Sequence, residues 1–198
     1  MLVLASSSPR RRELLRNAAI RFVVHPADVP ETMLPGEDPT DFAVRLACEK
    51  AHTVWQRMRQ ERHDCPVFVL GADTIVVVNG EVLGKPSDAA DAARMLRLLS
   101  ARTHEVTTAV CLVGPNPQGN SETFQDARAA TTRVTFEPLT EEDIRDYVAH
   151  GEPMDKAGAY AIQGIASRWI SKLEGDYFNV VGLPVPLVYR MLREHNAI

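Results

Sequence analysis

The stretch from Val67 through Val78 is apolar except where Asp73 interrupts it, and it runs into Asn79-Gly80, two residues that tolerate positive φ. Val67 to Leu70 begins one strand. Ile75 to Val78, the Asn79-Gly80 pair and Glu81 to Leu83 then read as strand, two-residue turn and strand, a strong hairpin signal. A hairpin in the middle of a chain whose earlier part alternates strand and helix excludes a purely parallel sheet. The expected fold class is α/β, with a mixed central sheet flanked by helices.

The rest of the chain supplies the other elements. Leu2 to Ala5 reads as a short buried strand, and Ser8-Pro9 as the cap and first-turn proline of a helix running to about Asn17. From Asp38 the spacing of Phe42, Leu46, Ala47, Val54, Trp55 and Met58 is helical, closed by the polar run Arg59 to Asp64. Asp88 to Ser100 is helical by its Ala and Leu spacing. Glu105 to Val113 and Ala127 to Phe136 are strand-like, and Gly114 to Asn120 between them is the expected exposed tip. Thr140 and Asp143 form a capping pair for a helix ending near His150-Gly151. A strand near Trp169 to Leu173, a turn at Gly175-Asp176 and a last helix from about Pro186 to His195 complete the reading. No repeat or linker divides residues 1–198, so a single domain is expected.

Composition limits the function. With 26 acidic against 22 basic residues the net charge is -4, which gives no global attraction to nucleic acid or to an acidic membrane surface. Any phosphate binding must be local. Cys48, Cys65 and Cys111 are far apart, odd in number and without zinc-ligand spacing, so they read as free thiols in a reducing compartment. The apolar start is too short for a signal or membrane segment, and a cytoplasmic protein is expected. His52, His63, His104, His150 and His195 show no paired spacing and are assigned no role.

Three places can carry chemistry. Arg10, Arg11 and Arg12 stand in the first turn of a helix, where the dipole favours anions, a conflict that a bound phosphate would remove with help from Ser6 and Ser8. A solvated basic turn would give the same run. Asp73 is expensive to bury in its apolar surroundings without a partner or a metal, although a turn aspartate also fits where a strand ends. With Asn79-Gly80 as the loop, the hairpin register sets Thr74 opposite Lys85 and so brings Asp73 near Lys85. A carboxylate beside a cation can activate water next to a phosphate or hold a divalent metal; a surface ion pair is the plain alternative. Lys50 and Lys156 are weaker phosphate contacts, and Glu31 is equally a metal ligand or a surface loop residue. Gly80 to Pro86 falls one residue short of a Walker A loop and lies on a hairpin, which removes that reading.

Taken in order, Ser6-Ser7-Ser8-Pro9-Arg10-Arg11-Arg12-Glu13-Leu14-Leu15, Gly71-Ala72-Asp73-Thr74, Gly84-Lys85-Pro86, Lys156-Ala157-Gly158-Ala159-Tyr160, Ile162-Gln163-Gly164 and Asn179-Val180-Val181-Gly182-Leu183-Pro184 resemble the Maf family of nucleotide pyrophosphatases over nearly the whole chain. The resemblance implies two lobes with a cleft, a fold similar to the inosine-triphosphate pyrophosphatases, a divalent metal (Mg2+ or Mn2+), often a homodimer, and a link to arrest of cell division. The implied substrates are dTTP and UTP, cleaved to the monophosphate and pyrophosphate. By resemblance Asp73 activates the attacking water, Ser8, Arg11, Lys50 and Lys85 bind the triphosphate, and Glu31 with Asp73 would hold the metal. Arg10, Thr74 and Gln163 match the positions that separate the dTTP/UTP branch from the branch acting on 7-methyl-GTP. The family commonly carries an acidic residue just before the position of Glu31, where this chain has Pro30, with Asp28 displaced. Two rival readings stay open: a phosphatase with Asp73 as nucleophile, and a nucleotide-binding regulator of cell division whose hydrolysis is incidental.

Overall fold

The computed structural model describes residues 1–61, 65–116 and 123–198. The chain runs β1 (Leu2–Leu4), α1 (Pro9–Asn17), β2 (Val23–Val24), α2 (Pro39–Met58), β3 (Phe68–Val78), β4 (Glu81–Leu83), α3 (Ala89–Leu99), β5 (Thr103–Pro115), β6 (Thr123–Phe136), α4 (Glu141–His150), β7 (Ile170–Glu174), α5 (Tyr177–Val181) and α6 (Val185–Glu194). Short 3₁₀ turns cover Glu152–Asp155, Ala157–Ala159 and Ile165–Trp169. Among the described residues the strands make a seven-stranded sheet in the order β2-β1-β3-β5-β6-β7, with β4 paired to β3. Strand β1 is parallel to β2 and β3, whereas β4 on β3 and β7 on β6 are antiparallel. The fold is therefore the mixed α/β type expected. Residues 62–64 of the polar run and 117–120 of the expected loop tip lie outside the described residues. Among those described, no helix is long and apolar enough to cross a membrane.

The chain divides into two compact units. The first comprises Met1–Asp73, Thr108–Ala130 and Gly182–Ile198. Here Ser8 caps α1 by accepting from the Arg11 N–H, with Pro9 in the first turn, as its sequence predicts. Asp38 caps α2 by accepting from the N–H groups of Thr40 and Asp41. The inward stripe of α2 includes Ala43, Ala47 and Ala51, all fully buried, and these small residues let β3 come close. A Cβ built on Gly71 would stand 2.1 Å from the Ala47 carbonyl oxygen, so only glycine fits there. The expectation that Asp73 marks a strand end is corrected: β3 is one strand from Phe68 to Val78, with Asp73 inside it. A carboxylate in an apolar run looks like a stop, but the extended backbone passes through because Asp73 finds a buried cationic partner.

The second unit comprises Thr74–Thr107 and Thr131–Val181. The hairpin has the expected two-residue turn, with Val78 facing Glu81, Val77 facing Val82 and Val76 facing Leu83. Both turn residues take positive φ, 52° at Asn79 and 79° at Gly80. The ladder ends at Leu83, two residues short of Lys85. Packed on the hairpin are Met95, Leu96 and Leu99 of α3, Val106, Val134 and Phe136 from the sheet, and Ile144 and Tyr147 of α4. Thr140 and Asp143 close a reciprocal capping box on α4, and Gly151 ends it in the left-handed conformation at φ 84°. Such a box contributes about 1 kcal/mol. The Gly158 N–H donates to the Gly84 carbonyl at 3.0 Å, so two of the sequence motifs meet through the main chain.

Two elements escape the sequence reading. Strand β2 spans only Val23 and Val24, too short for a periodic signal. Helix α5 starts where the Asp176 carboxylate accepts from the Phe178 N–H at 2.8 Å. It buries Asn179 completely, with the amide donating to Val106 O at 2.8 Å and Thr132 Oγ1 at 2.9 Å. That asparagine of the Asn179 to Pro184 motif therefore ties α5 to the sheet.

His104 is 2% exposed, edge-on to Phe136 and Tyr160, with Nε2 at 2.8 Å from the Tyr160 hydroxyl. Burial pushes its pKa down from 6.5 to about 4. Between these two values the unfolded chain binds a proton that the folded chain does not, so stability is full above the upper value and falls as pH drops through the window. By about pH 5 the loss should reach roughly 2 kcal/mol. Unfolding followed at about pH 7.5 and about pH 5 should show a smaller acid loss in His104→Gln than in the parent. Equal losses in the two proteins would remove His104 from the acid response.

Candidate active site

The first unit holds six of the candidate site residues singled out from sequence: Ser8, Arg10, Arg11, Glu31, Lys50 and Asp73. Helix α2 carries Lys50 on its buried side, 8% exposed, opposite Asp73 on β3, 7% exposed. The Lys50 ammonium donates to Asp73 Oδ1 at 2.6 Å and to Glu31 Oε1 at 2.6 Å. A buried carboxylate needs such a partner, and the short charge-assisted bonds offset its desolvation. An ammonium has three N–H donors, so these two bonds leave one for a further acceptor. Lys50, expected as a minor phosphate contact, is the cation that joins both acidic residues.

Arg11 does more than face an anion. Its Nε donates to the Gly182 carbonyl at 2.8 Å, and its Nη1 donates to the Ala72 carbonyl at 2.9 Å and to Ser6 Oγ at 3.2 Å. One guanidinium thus fastens the loop after β1, the residue before Asp73 and the approach to α6. Burial lowers its pKa, while the Asp73 and Glu31 carboxylates oppose that shift and Arg10 adds to it. A guanidinium stays charged throughout. The Asp73 carboxylate therefore has Lys50 as a direct donor and Arg11 as a second positive neighbour. Ser8 is half-buried and serves as the α1 cap, while its own N–H donates to Ser6 Oγ at 3.3 Å. Arg10 is half-buried in the same first turn.

In the second unit Thr74 continues β3 and is half-buried, Lys85 follows β4 and is exposed, and Gln163 sits exposed in the loop after the 3₁₀ turn at Ala157–Ala159. Lys156 is committed locally, its ammonium donating to the Glu152 carbonyl at 3.0 Å and pairing with Asp155. Sequence reasoning passed over Tyr147 and Glu152, which hold the Gln163 loop by its main chain. No local pattern marks them, because their partners lie up to 14 residues further along the chain.

The donor chemistry for a metal can be tested on Glu31 and Asp73. Among the described residues no group of three or more His, Cys, Asp or Glu side chains could hold an ion. Glu31 and Asp73 do converge on one cation, and two hard carboxylate oxygens fit Mg2+ or Mn2+, which complete their coordination with water and substrate phosphate.

The family model described as Maf-like protein matches residues 1–195. A relative from Koribacter versatilis (strain Ellin345), named dTTP/UTP pyrophosphatase, is 56% identical over 197 residues, covering 100% of this chain and 95% of that one. A protein of the same name from Geobacter metallireducens (strain ATCC 53774 / DSM 7210 / GS-15) is 49% identical over 197 residues, covering 100% of this chain and 97% of its own length. Among solved structures, a HAM1 protein from Coxiella burnetii matches 68% of this chain and 72% of that one at 18% identity, with a TM-score of 0.41, too low to support a fold comparison. A family match that takes in the Ser6 to Leu15 segment, Asp73 and the closing Asn179 to Pro184 motif leaves one conclusion: the chain belongs to the Maf-like protein family.

Proposed function

We propose that the protein hydrolyses dTTP and UTP to the nucleoside monophosphate and pyrophosphate. The observation that carries this reading is the buried Asp73 carboxylate, oriented by Lys50 and flanked by Glu31 and the Arg11 charge. The full-length relatives named dTTP/UTP pyrophosphatase give the substrate class. Asp73 accepts the proton of a water that attacks the α-phosphorus; the bond from the α-phosphorus to the bridging oxygen breaks, and pyrophosphate leaves with that oxygen. Lys50 holds the carboxylate in one orientation and offers its remaining N–H to a phosphate oxygen. Arg11 and Lys85 supply positive charge to the leaving group. A divalent Mg2+ or Mn2+ held by Glu31 and Asp73 supplies, when bound, neutralisation of phosphate charge and acidification of water.

Base selection falls to Arg10, Thr74 and Gln163. Uracil and thymine present an N3–H donor between carbonyl acceptors, and an amide carries both functions needed to match that edge. The exposed position of Gln163 is compatible with contact to a substrate base.

Asp73→Asn should fold normally and lose turnover by about 10²-fold or more, the scale of a lost general base. Kinetics on the folded variant checks this, and near-normal turnover would remove Asp73 from the mechanism. Identifying the product of the parent enzyme tests the phosphatase alternative, since inorganic phosphate in place of pyrophosphate would make Asp73 a nucleophile. Binding of UTP without turnover in magnesium or manganese would favour the regulator reading.

Lys85→Ala should weaken hydrolysis of UTP while leaving the preference among bases unchanged, because phosphate contacts position without reading the base. Arg11→Ala should weaken hydrolysis and also lower Tm, since it frees the Ala72 and Gly182 carbonyls and Ser6 Oγ together. Melting curves check the effect of Arg11→Ala on folding and substrate panels check both variants; a changed base preference in Lys85→Ala would contradict its role.

Gln163→Glu replaces a donor with an acceptor, which opposes the carbonyls of uracil and suits the N1–H and N2–H₂ donors of guanine. Its kcat/KM for dTTP and UTP should fall roughly 5- to 150-fold while guanine nucleotides gain. Unchanged efficiency on both pyrimidine substrates would show that Gln163 does not meet the base.

A further inference from the structure

We infer that Tyr147 and Glu152 are positioning residues for base selection, clamping the loop that carries Gln163 by its main chain so that the Gln163 amide is presented in one orientation. The inference rests on the reading of Gln163 as a base-contacting residue. Tyr147 lies on α4, 2% exposed, with its ring edge-on to Trp169 at 5.3 Å. Its hydroxyl donates to Glu152 Oε1 at 2.7 Å and accepts from the Ala161 N–H at 3.3 Å. The Glu152 carboxylate accepts from the Ile165 N–H, at 3.1 Å to Oε1 and 3.3 Å to Oε2. Main-chain N–H groups on both sides of Gln163 therefore end on one hydroxyl–carboxylate unit. The Gly164 N–H donates back to the Ala161 carbonyl at 3.0 Å and closes the turn between them.

Gly164 shows that this clamp sets the sequence around it. Its φ of -105° is open to any residue, so conformational freedom is not what the position needs. A Cβ there would stand 2.2 Å and 2.3 Å from the two Glu152 carboxylate oxygens, and the missing side chain is what lets the carboxylate reach the loop. Lys156 holds Glu152 from the other side, its ammonium donating to the Glu152 carbonyl. Charge-assisted bonds to main-chain N–H groups are about twice as strong as neutral ones. The loop has no helical or strand ladder at Gln163, so these bonds take the place of one.

Orientation matters because an amide turned over presents the pattern that suits cytosine instead of uracil. Contacts that select between such edges need their supports fixed to about 0.5 Å. The fixed main chain sets where the amide meets the base edge; a slack loop would let it shift and turn over against that edge, and UTP would lose its advantage over CTP.

The test compares kcat and KM for UTP and CTP in Tyr147→Phe, Glu152→Ala, Glu152→Gln and Gln163→Ala, with Tm recorded for each. Tyr147→Phe keeps the ring against Trp169 and removes only the hydroxyl, so it covers the case in which Glu152→Ala fails to fold. Tyr147→Phe should lower the UTP-to-CTP ratio of kcat/KM about 5-fold, mainly through a higher KM for UTP. Glu152→Ala should lower the ratio about 10-fold or more, and Glu152→Gln, which keeps an acceptor for Ile165, should recover most of it. In a Gln163→Ala background Tyr147→Phe should leave the ratio where it is. A role confined to stability would lower Tm and depress both substrates in parallel with the ratio intact, and that result, or an undiminished effect without Gln163, overturns the inference. If Gln163→Ala itself leaves the ratio at the parent value, the base-reading role of Gln163 fails instead, whatever the clamp variants do.

Discussion

Two carboxylates share the Lys50 ammonium, and that arrangement sets the terms for the first unit. Asp73 stands inside a strand whose neighbours are apolar, where an unpaired carboxylate would be strongly unfavourable. Glu31 comes from an exposed loop and Lys50 from the buried side of α2, so the two bonds at 2.6 Å join a loop, a helix and a strand at one nitrogen. Removing the cation would leave Asp73 buried without its donor, a more severe change than never having had the pair. Around this centre Arg11 adds a second positive group, which also holds three stretches of main chain. On the proposed mechanism the same side chains serve structure and chemistry, and substitutions at Arg11 cannot be read as catalytic without a measure of folding.

The sequence disclosed the elements whose signals are local. The Thr140 and Asp143 box, the Asn79-Gly80 turn and the proline after Ser8 each act within four residues, and each is found where the pattern puts it. Helix α5 was hidden because it is short and its anchor, the Asn179 amide, bonds to Val106 and Thr132 far away in the chain. The continuity of β3 was hidden for the opposite reason: Asp73 carries a strong local stop signal, and the partner that cancels it lies 23 residues earlier at Lys50. Resemblance named candidate site residues, but not what they do to one another. That Arg11 ties down the Gly182 and Ala72 carbonyls, or that Lys50 is a direct donor to Asp73, follows only from coordinates.

The second unit relies on a different physical device. Its residues of interest sit outside regular ladders, on the segment after β4 and on the loop that bears Gln163, and main-chain bonds fix both segments. The Gly158 to Gly84 bond joins the Gly84-Lys85-Pro86 motif to the Lys156 to Tyr160 motif, and a Cβ at Gly158 would meet Val76 at 2.9 Å. Glycines in this unit thus mark close approach as well as turns. Gly164 needs space, whereas Gly158 needs both space and a positive φ of 67°.

The contact at Gly71 acts as a ruler. Strand and helix touch there with no side chain between them, and the same helix, one turn along, bears the ammonium that reaches Asp73. Any larger residue at position 71 would wedge α2 outward by an ångström or more, on the order of the clearance that separates a short bond from none. On the proposed mechanism a residue that touches neither proton nor phosphate would then tune the chemistry through spacing alone. Drift at that one position is barred by the reach of a lysine.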